Sequence, residues 1–192
     1  AVGNNALRGM ALFYGKANCA ACHSGAFQTD HYFHAIGMPQ IGPGKGHVPA
    51  MSDHGRSAIT GNDTDKYRFL TPSLRNVALT APYGHSGAYA TLDSVIRHHV
   101  DPMTSLAEYM GETVLFPGAD TLDLGAMKDF DEVLNIAAAI EIPPVHLSAR
   151  DITALIAFLN SLTDPISQTG RLGVPDTLPS GLPLDQGATP PS

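Results

Sequence analysis

Apolar residues recur at helical spacing in several stretches of the chain. Leu7, Met10, Ala11 and Tyr14 follow the i, i+3, i+4, i+7 rhythm of one helix face, and Gly15 stands where such a helix stops. Leu92, Val95, Ile96 and His99 share one face of a helix over about 91–100, with His98 off that stripe. "LGAMKDFDEVLNIAAAIE" predicts a further helix over about 124–141, with a mixed pattern. "SARDITALIAFLNSL" has the clearest pattern: Ile152, Leu155, Ile156 and Leu159 line one face, and Ser148 with Asp151 three residues on predicts a capped start. A short helix is predicted at Ser73–Leu79, followed by a turn from Pro82 to Gly87.

No strand pair and no internal repeat is evident. Residues 26–70 are rich in Gly, Pro, Asp and His with weak periodicity, which predicts a long ordered loop. Loops of such length inside a compact domain usually carry function. From "TDPISQ" onward the chain is Pro- and Gly-rich, so residues 166–192 are expected to form an extended tail behind a single mainly α-helical domain at 1–165. At 192 residues the chain is long enough for one sizeable core.

Composition narrows the function classes. The chain is 43% hydrophobic and 15% charged, with a charge fraction below the usual quarter but still globular, and its net charge of −7 argues against a nucleic-acid partner, since phosphate binding relies on a basic surface. No apolar run approaches the roughly 18–20 residues that span a bilayer. No Ser-His-Asp arrangement, phosphate-cradling glycine loop or helical H-E-x-x-H is present.

The two cysteines of the chain stand in "NCAACHSG", residues 18–25. Cys19 and Cys22 could form a thioredoxin-like pair, half of a zinc site, a disulfide, or the attachment points of a c-type haem. A zinc ribbon needs a second pair, and a redox pair should follow a strand, whereas a helical stretch precedes this one. His23 completes C-x-x-C-H, the haem c attachment pattern: two thioethers fix the porphyrin edge and the adjacent imidazole reaches the iron. Covalent haem attachment is extracytoplasmic in bacteria, so a periplasmic location is expected.

Further blocks carry a family resemblance. "GMALFYGKANCAACHSG" (9–25), "FHAIGMP" (33–39), "DHGRSAITG" (53–61), "RFLTPSLRNVALTAPYGHSGAYATLDSVIRHH" (68–99), "ALIAFLNSLTDP" (154–165) and "LPSGLPLD" (178–185) together resemble the C-terminal half of the bacterial di-haem cytochrome c peroxidase and MauG family. The resemblance implies a cytochrome c-like helical haem domain that packs against an N-terminal domain holding the peroxide-reactive haem. One C-x-x-C-H implies one covalent haem here. The second haem and the peroxide-binding site are then expected on an absent N-terminal half or a partner chain, and no catalytic residue is assigned to this one.

The family places its distal iron ligand twelve residues after the glycine of the "PYxHSG" turn, with Met in peroxidases and Tyr in MauG-type enzymes. Counting from Gly87 arrives at His99, the histidine that shares the apolar stripe of its helix. His98, Met103, Met38, Met51 and His34 are the alternatives among nine histidines and six methionines. A second imidazole in place of a thioether would lower the reduction potential and leave iron closed to peroxide. Arg56 and Arg75 are candidates to pair with haem propionates, or else to form surface salt bridges. His85 is a candidate hydrogen bonder near the haem or the interdomain face, or a turn residue. The family's interdomain calcium corresponds to backbone carbonyls of Thr80 and Pro82, with further ligands from the missing half. The histidines at 31, 47, 54 and 146 are expected to be exposed loop residues.

These features predict the electron-transfer haem domain of a periplasmic peroxidase-like oxidoreductase, fed by a small electron-donor protein or by a protein substrate. A MauG-like oxidase of a partner protein and a mono-haem carrier without enzymatic activity are the alternatives.

Overall fold

A computed structural model describes residues 2–42, 52–111, 123–168, 177 and 179–182. Among them lie seven α-helices: α1 (Asn4–Phe13), α2 (Ser57–Thr60), α3 (Leu92–Val100), α4 (Pro102–Ala107), α5 (Gly125–Lys128), α6 (Phe130–Ala138) and α7 (Ala149–Asn160). Two short strands, β1 (Phe33–His34) and β2 (Phe69–Leu70), pair antiparallel with Phe33 opposite Leu70. The mainly helical fold class predicted above is therefore observed.

The packing of α1 across α7 organises the domain. Ser148 and Asp151 form a reciprocal capping box at the start of α7, which satisfies two otherwise unpaired backbone N–H groups. Arg8 of α1 reaches over to Asp151 at 2.5 Å, joining the two helices at that end. At the crossing itself only glycine fits, because a Cβ on Gly9 would stand 1.9 Å from the Ala154 carbonyl oxygen. Phe13 and Phe158 close the contact with ring centroids 5.1 Å apart. They belong to the main core with Val77, Leu92, Leu155 and Leu159, and Cys19, Ala20, Leu74, Val95 and Ile96 pack at its margin. Removing these apolar surfaces from water is the main stabilising term. It also fixes the C-x-x-C-H segment against α3.

Several sequence expectations are corrected. The helix predicted at Ser73–Leu79 is only a 3-10 turn, Val77–Leu79, because Asn76 takes a left-handed conformation at φ 57°. The helix predicted over 124–141 is two, since Asp129 leaves helical geometry and its carboxylate accepts from the Asp131 and Glu132 amides to start α6. α4 was not foreseen, although Asp101 caps it and Pro102 occupies its first turn. The β1–β2 pair, two residues long on each side, is too short to leave an alternating pattern. His98, placed off the apolar stripe, is fully buried, while Val95, Ile96 and His99 are only partly so. Of the 166–192 tail, only a 3-10 turn at Pro165–Gln168 and a few later residues are described.

Candidate haem site

The C-x-x-C-H segment follows α1 as a tight turn. The Cys22 and His23 amides both donate to the Cys19 carbonyl, at 3.3 and 2.9 Å, so Cys19 and His23 sit one helical turn apart. Neither cysteine is in a disulfide. Burial pushes the Cys19 thiol up to about 11, and burial, with the Asp30 and Glu141 charges, raises that of Cys22. Residues 24–29 then fold back through the Thr29 amide bond to the Ser24 carbonyl, 2.9 Å. This turn is tied to the 71–73 segment: Ser73 Oγ donates to the Phe27 carbonyl at 2.6 Å and Thr29 Oγ1 to the Thr71 carbonyl at 2.7 Å. It brings the Gln28 carbonyl to His23 Nδ1, 3.2 Å.

His99 approaches from α3. Its Nδ1 lies 2.8 Å from the Val95 carbonyl, one turn back along the helix. A carbonyl can only accept, so Nδ1 carries the proton in both His23 and His99, and each Nε2 keeps its lone pair. The imidazole centroids are 6.5 Å apart with planes at 52°. Two metal–imidazole bonds of about 2.0 Å, plus about 1.1 Å from each nitrogen to its ring centre, span about 6.2 Å. The centroid separation is thus close to that of two imidazoles on one metal ion. Both imidazoles are held neutral, as ligation requires. Burial, then the neighbouring His99, pushes His23 down to about 4 against the opposing Gln28, Asp30 and Pro72 contacts, and burial also lowers His99.

The alternative ligands are engaged elsewhere. His98 Nε2 bonds the Ile36 carbonyl at 2.8 Å, so its Nδ1 accepts from the Tyr89 hydroxyl at 2.9 Å. Both ring nitrogens are used, and burial with the His99 charge lowers its basicity to about 3. His34 is likewise occupied at both nitrogens, by Asp30 and Glu141 at 2.8 Å each. Cys22, Asp30 and His34 converge closely enough to suggest a metal cluster, but those pairings leave His34 no free lone pair. Met38 is buried in a second core cluster with Ala88, Tyr89 and Tyr109. Met103 is 52% exposed. Met51 lies outside the described residues.

No family model matches the chain. Similar proteins nevertheless include the methylamine utilization protein MauG of Methylorubrum extorquens, 40% identical over 52% of this chain and 26% of its own length. Others are the cytochrome-c peroxidase IdrP1 of Denitromonas iodatirespirans, 38% identical over 50% of this chain and 31% of its own, and the cytochrome c551 peroxidase of Nitrosomonas europaea, 35% identical over 50% and 27%. The crystal structure of a MauG-like protein associated with microbial copper homeostasis superposes with a TM-score of 0.60 at 28% identity, over 90% of this chain and 51% of that one. The di-haem peroxidase BthA of Burkholderia thailandensis shares the fold, with a TM-score of 0.58 at 21% identity over 86% of this chain and 44% of its own. This chain is a relative of the di-haem cytochrome c peroxidases and MauG. It fits their C-terminal haem domain, and it spans about a quarter to a third of the length of the curated relatives it matches.

The other predicted residues lie apart from one another. Arg75 lies beside the haem-motif turn, its guanidinium 5.8 Å from the Phe27 ring centroid. Arg56 instead bonds Asp65 at 3.3 Å and lies 4.5 Å over the Phe33 ring. His85 bonds Asp53 at 2.8 Å and stacks on Phe69 with centroids 3.7 Å apart, so its contacts anchor the turn to the 52–70 loop. Thr80 and Pro82 flank the cis Ala81–Pro82 bond, and Thr80 Oγ1 donates to the Val77 carbonyl at 3.1 Å. His31 and His146 are exposed as expected, and His47 lies outside the described residues. His54 is a correction: it is partly buried, its Nε2 4.0 Å from Glu132 of α6. Sequence reading missed this because the pair is brought together only by loop packing.

Proposed function

We propose that the chain is the electron-transfer haem c domain of a periplasmic di-haem peroxidase-like oxidoreductase. One observation carries this reading: two neutral imidazoles, His23 and His99, lie with ring centroids 6.5 Å apart and both Nδ1 protons given to backbone carbonyls. Cys19 and Cys22 would supply the thioether anchors, and the Nε2 atoms of His23 and His99 would hold the iron. Once attached, haem c supplies a one-electron couple. With His23 and His99 both holding the iron, this chain's residues would exclude peroxide from it and favour electron passage over oxygen chemistry. The carbonyls of Gln28 and Val95 hold each ring in one tautomer and orientation, as partners behind metal-bound histidines generally do. Arg75, beside the haem-motif turn, would face a propionate. Thr80 and Pro82 would offer carbonyl oxygens to calcium if the partner domain supplies the remaining ligands.

Peroxide reduction would then occur on a second haem, in an N-terminal segment or partner chain, with electrons drawn from a small donor protein. The MauG relatives favour a second reading, in which the same pair of domains oxidises a partner protein. Peroxide consumption with a reduced donor, against modification of the partner, separates the two. The ligand assignment is tested by electron paramagnetic resonance of the ferric protein. Low-spin bis-imidazole iron is expected, and His99→Ala should convert it to high spin. A near-infrared sulfur-to-iron band in the wild type would refute it.

A further inference from the structure

Away from the haem site, the 52–68 loop and α6 enclose an open cleft of about 710 Å³ lined by His54, Asp63, Tyr67, Glu132 and Asn135 among others. Glu132 is 8% exposed, and its Oε1 is buried with no hydrogen-bond partner. A buried carboxylate oxygen left without a partner costs several times what an ordinary hydrogen bond contributes, so such an atom points to a ligand. His54 Nε2 faces it at 4.0 Å, too far for a hydrogen bond. The backbone holds this facing pair: the Tyr67 amide donates to the His54 carbonyl at 3.0 Å, Gly55 bridges to Arg68, and the His54 and Tyr67 rings meet edge-on at 5.5 Å. Asp63 stands at the mouth, bonded to Lys66 at 2.9 Å, which neutralises that lysine.

We propose that His54 and Glu132 bind a divalent transition-metal ion of the zinc or copper class. An imidazole nitrogen and a carboxylate oxygen are the ligand types such ions take, each at about 2.0–2.2 Å. Two bonds of that length reach across the observed gap when the ligands stand nearly opposite. Tetrahedral binding needs the atoms at about 3.4 Å, which a small side-chain rotation supplies. Water completes the shell. The ion would clamp the loop carrying His54 to α6, far along the chain from the iron ligands.

The test is calorimetric titration of the haem-loaded full chain with zinc sulfate, beside His54→Gln, Glu132→Gln and the control His146→Gln. The wild type and control should bind one zinc ion at this site. Each site variant should lose at least the about tenfold in affinity that removal of even an outer-shell partner costs. Should Glu132→Gln fail to fold, His54→Gln decides alone, since that side chain is partly exposed. Absence of zinc binding by the wild type, or wild-type affinity in either folded site variant, overturns the proposal.

Discussion

Replacing Gly9 by alanine tests whether the α1–α7 crossing holds the haem domain together. In an ordinary helix this change stabilises by about 0.5–1 kcal/mol, because glycine loses more backbone entropy on folding. Here the new methyl would stand 1.9 Å from the Ala154 carbonyl oxygen, 2.6 Å from its carbon and 2.8 Å from Phe158 Cβ. Two of these three atoms are backbone and cannot rotate aside. Ordinary contact begins at 3.4 Å, so the helices must separate by about 1.5 Å, loosening Phe13 against Phe158. Overpacking of this kind costs about 1–3 kcal/mol, and a backbone clash belongs at the upper end. After the helical gain, a net loss of about 1–2.5 kcal/mol remains. At about 2–4 °C per kcal/mol for a chain of this size, the melting temperature should fall by about 2–10 °C. Thermal unfolding of the haem-loaded protein, followed by far-ultraviolet circular dichroism, reads this directly. Gly3→Ala is the control, since a Cβ there meets nothing within 4 Å. A Gly9→Ala protein as stable as wild type or more so would refute the close-crossing argument.

Two further outcomes are expected. His98→Ala should leave the low-spin ferric spectrum intact while lowering stability by about 2–4 kcal/mol, because it empties a fully buried site and takes the His98 hydrogen bond from the Ile36 carbonyl, while the Tyr89 hydroxyl keeps Ser105. High-spin iron in this variant, with His99→Ala unchanged, would exchange the roles of the two histidines. Asp151 is depressed from 3.8 to about 2, first by the Ser148 hydroxyl and amide, with Arg8 adding to this against its burial. A lowered folded value means its contribution is complete above about pH 4 and fades as the pH falls from there toward 2. Asp151→Asn should therefore flatten that part of the acid limb in a stability-versus-pH series. An unchanged acid limb would show that the capping box does not set it.

How much of this was legible in the sequence depends on how local each feature is. The capping box of α7 needs only residues 148 and 151, and the C-x-x-C-H turn only residues 19–23, so both are read directly from the chain. The Asp101–Pro102 start of α4 was equally local, yet it was overlooked beside the stronger stripe of α3. Periodicity separated His99 from His98 by the face each occupies, but it misjudged which is more buried. The partners of His98, Ile36 and Tyr89, come from segments 62 and 9 residues away, and no helical rhythm reports them. A stripe marks what a helix packs against, not how closely it is covered. On α3 Leu92, Val95 and Ile96 pack at the main core, whereas His98 is sealed by Ile36 and Tyr89. The same reasoning explains His54, whose loop looked merely polar. A histidine in a Gly- and Asp-rich segment reads as solvent-facing until a distant carboxylate, here Glu132 of α6, folds against it. The proposed iron site is thus written mostly in local spacing, whereas the proposed second metal site rests on contacts that only folding creates. Substitutions near the haem motif should therefore act on spectra first, and those around residues 54–68 on metal affinity without disturbing the haem.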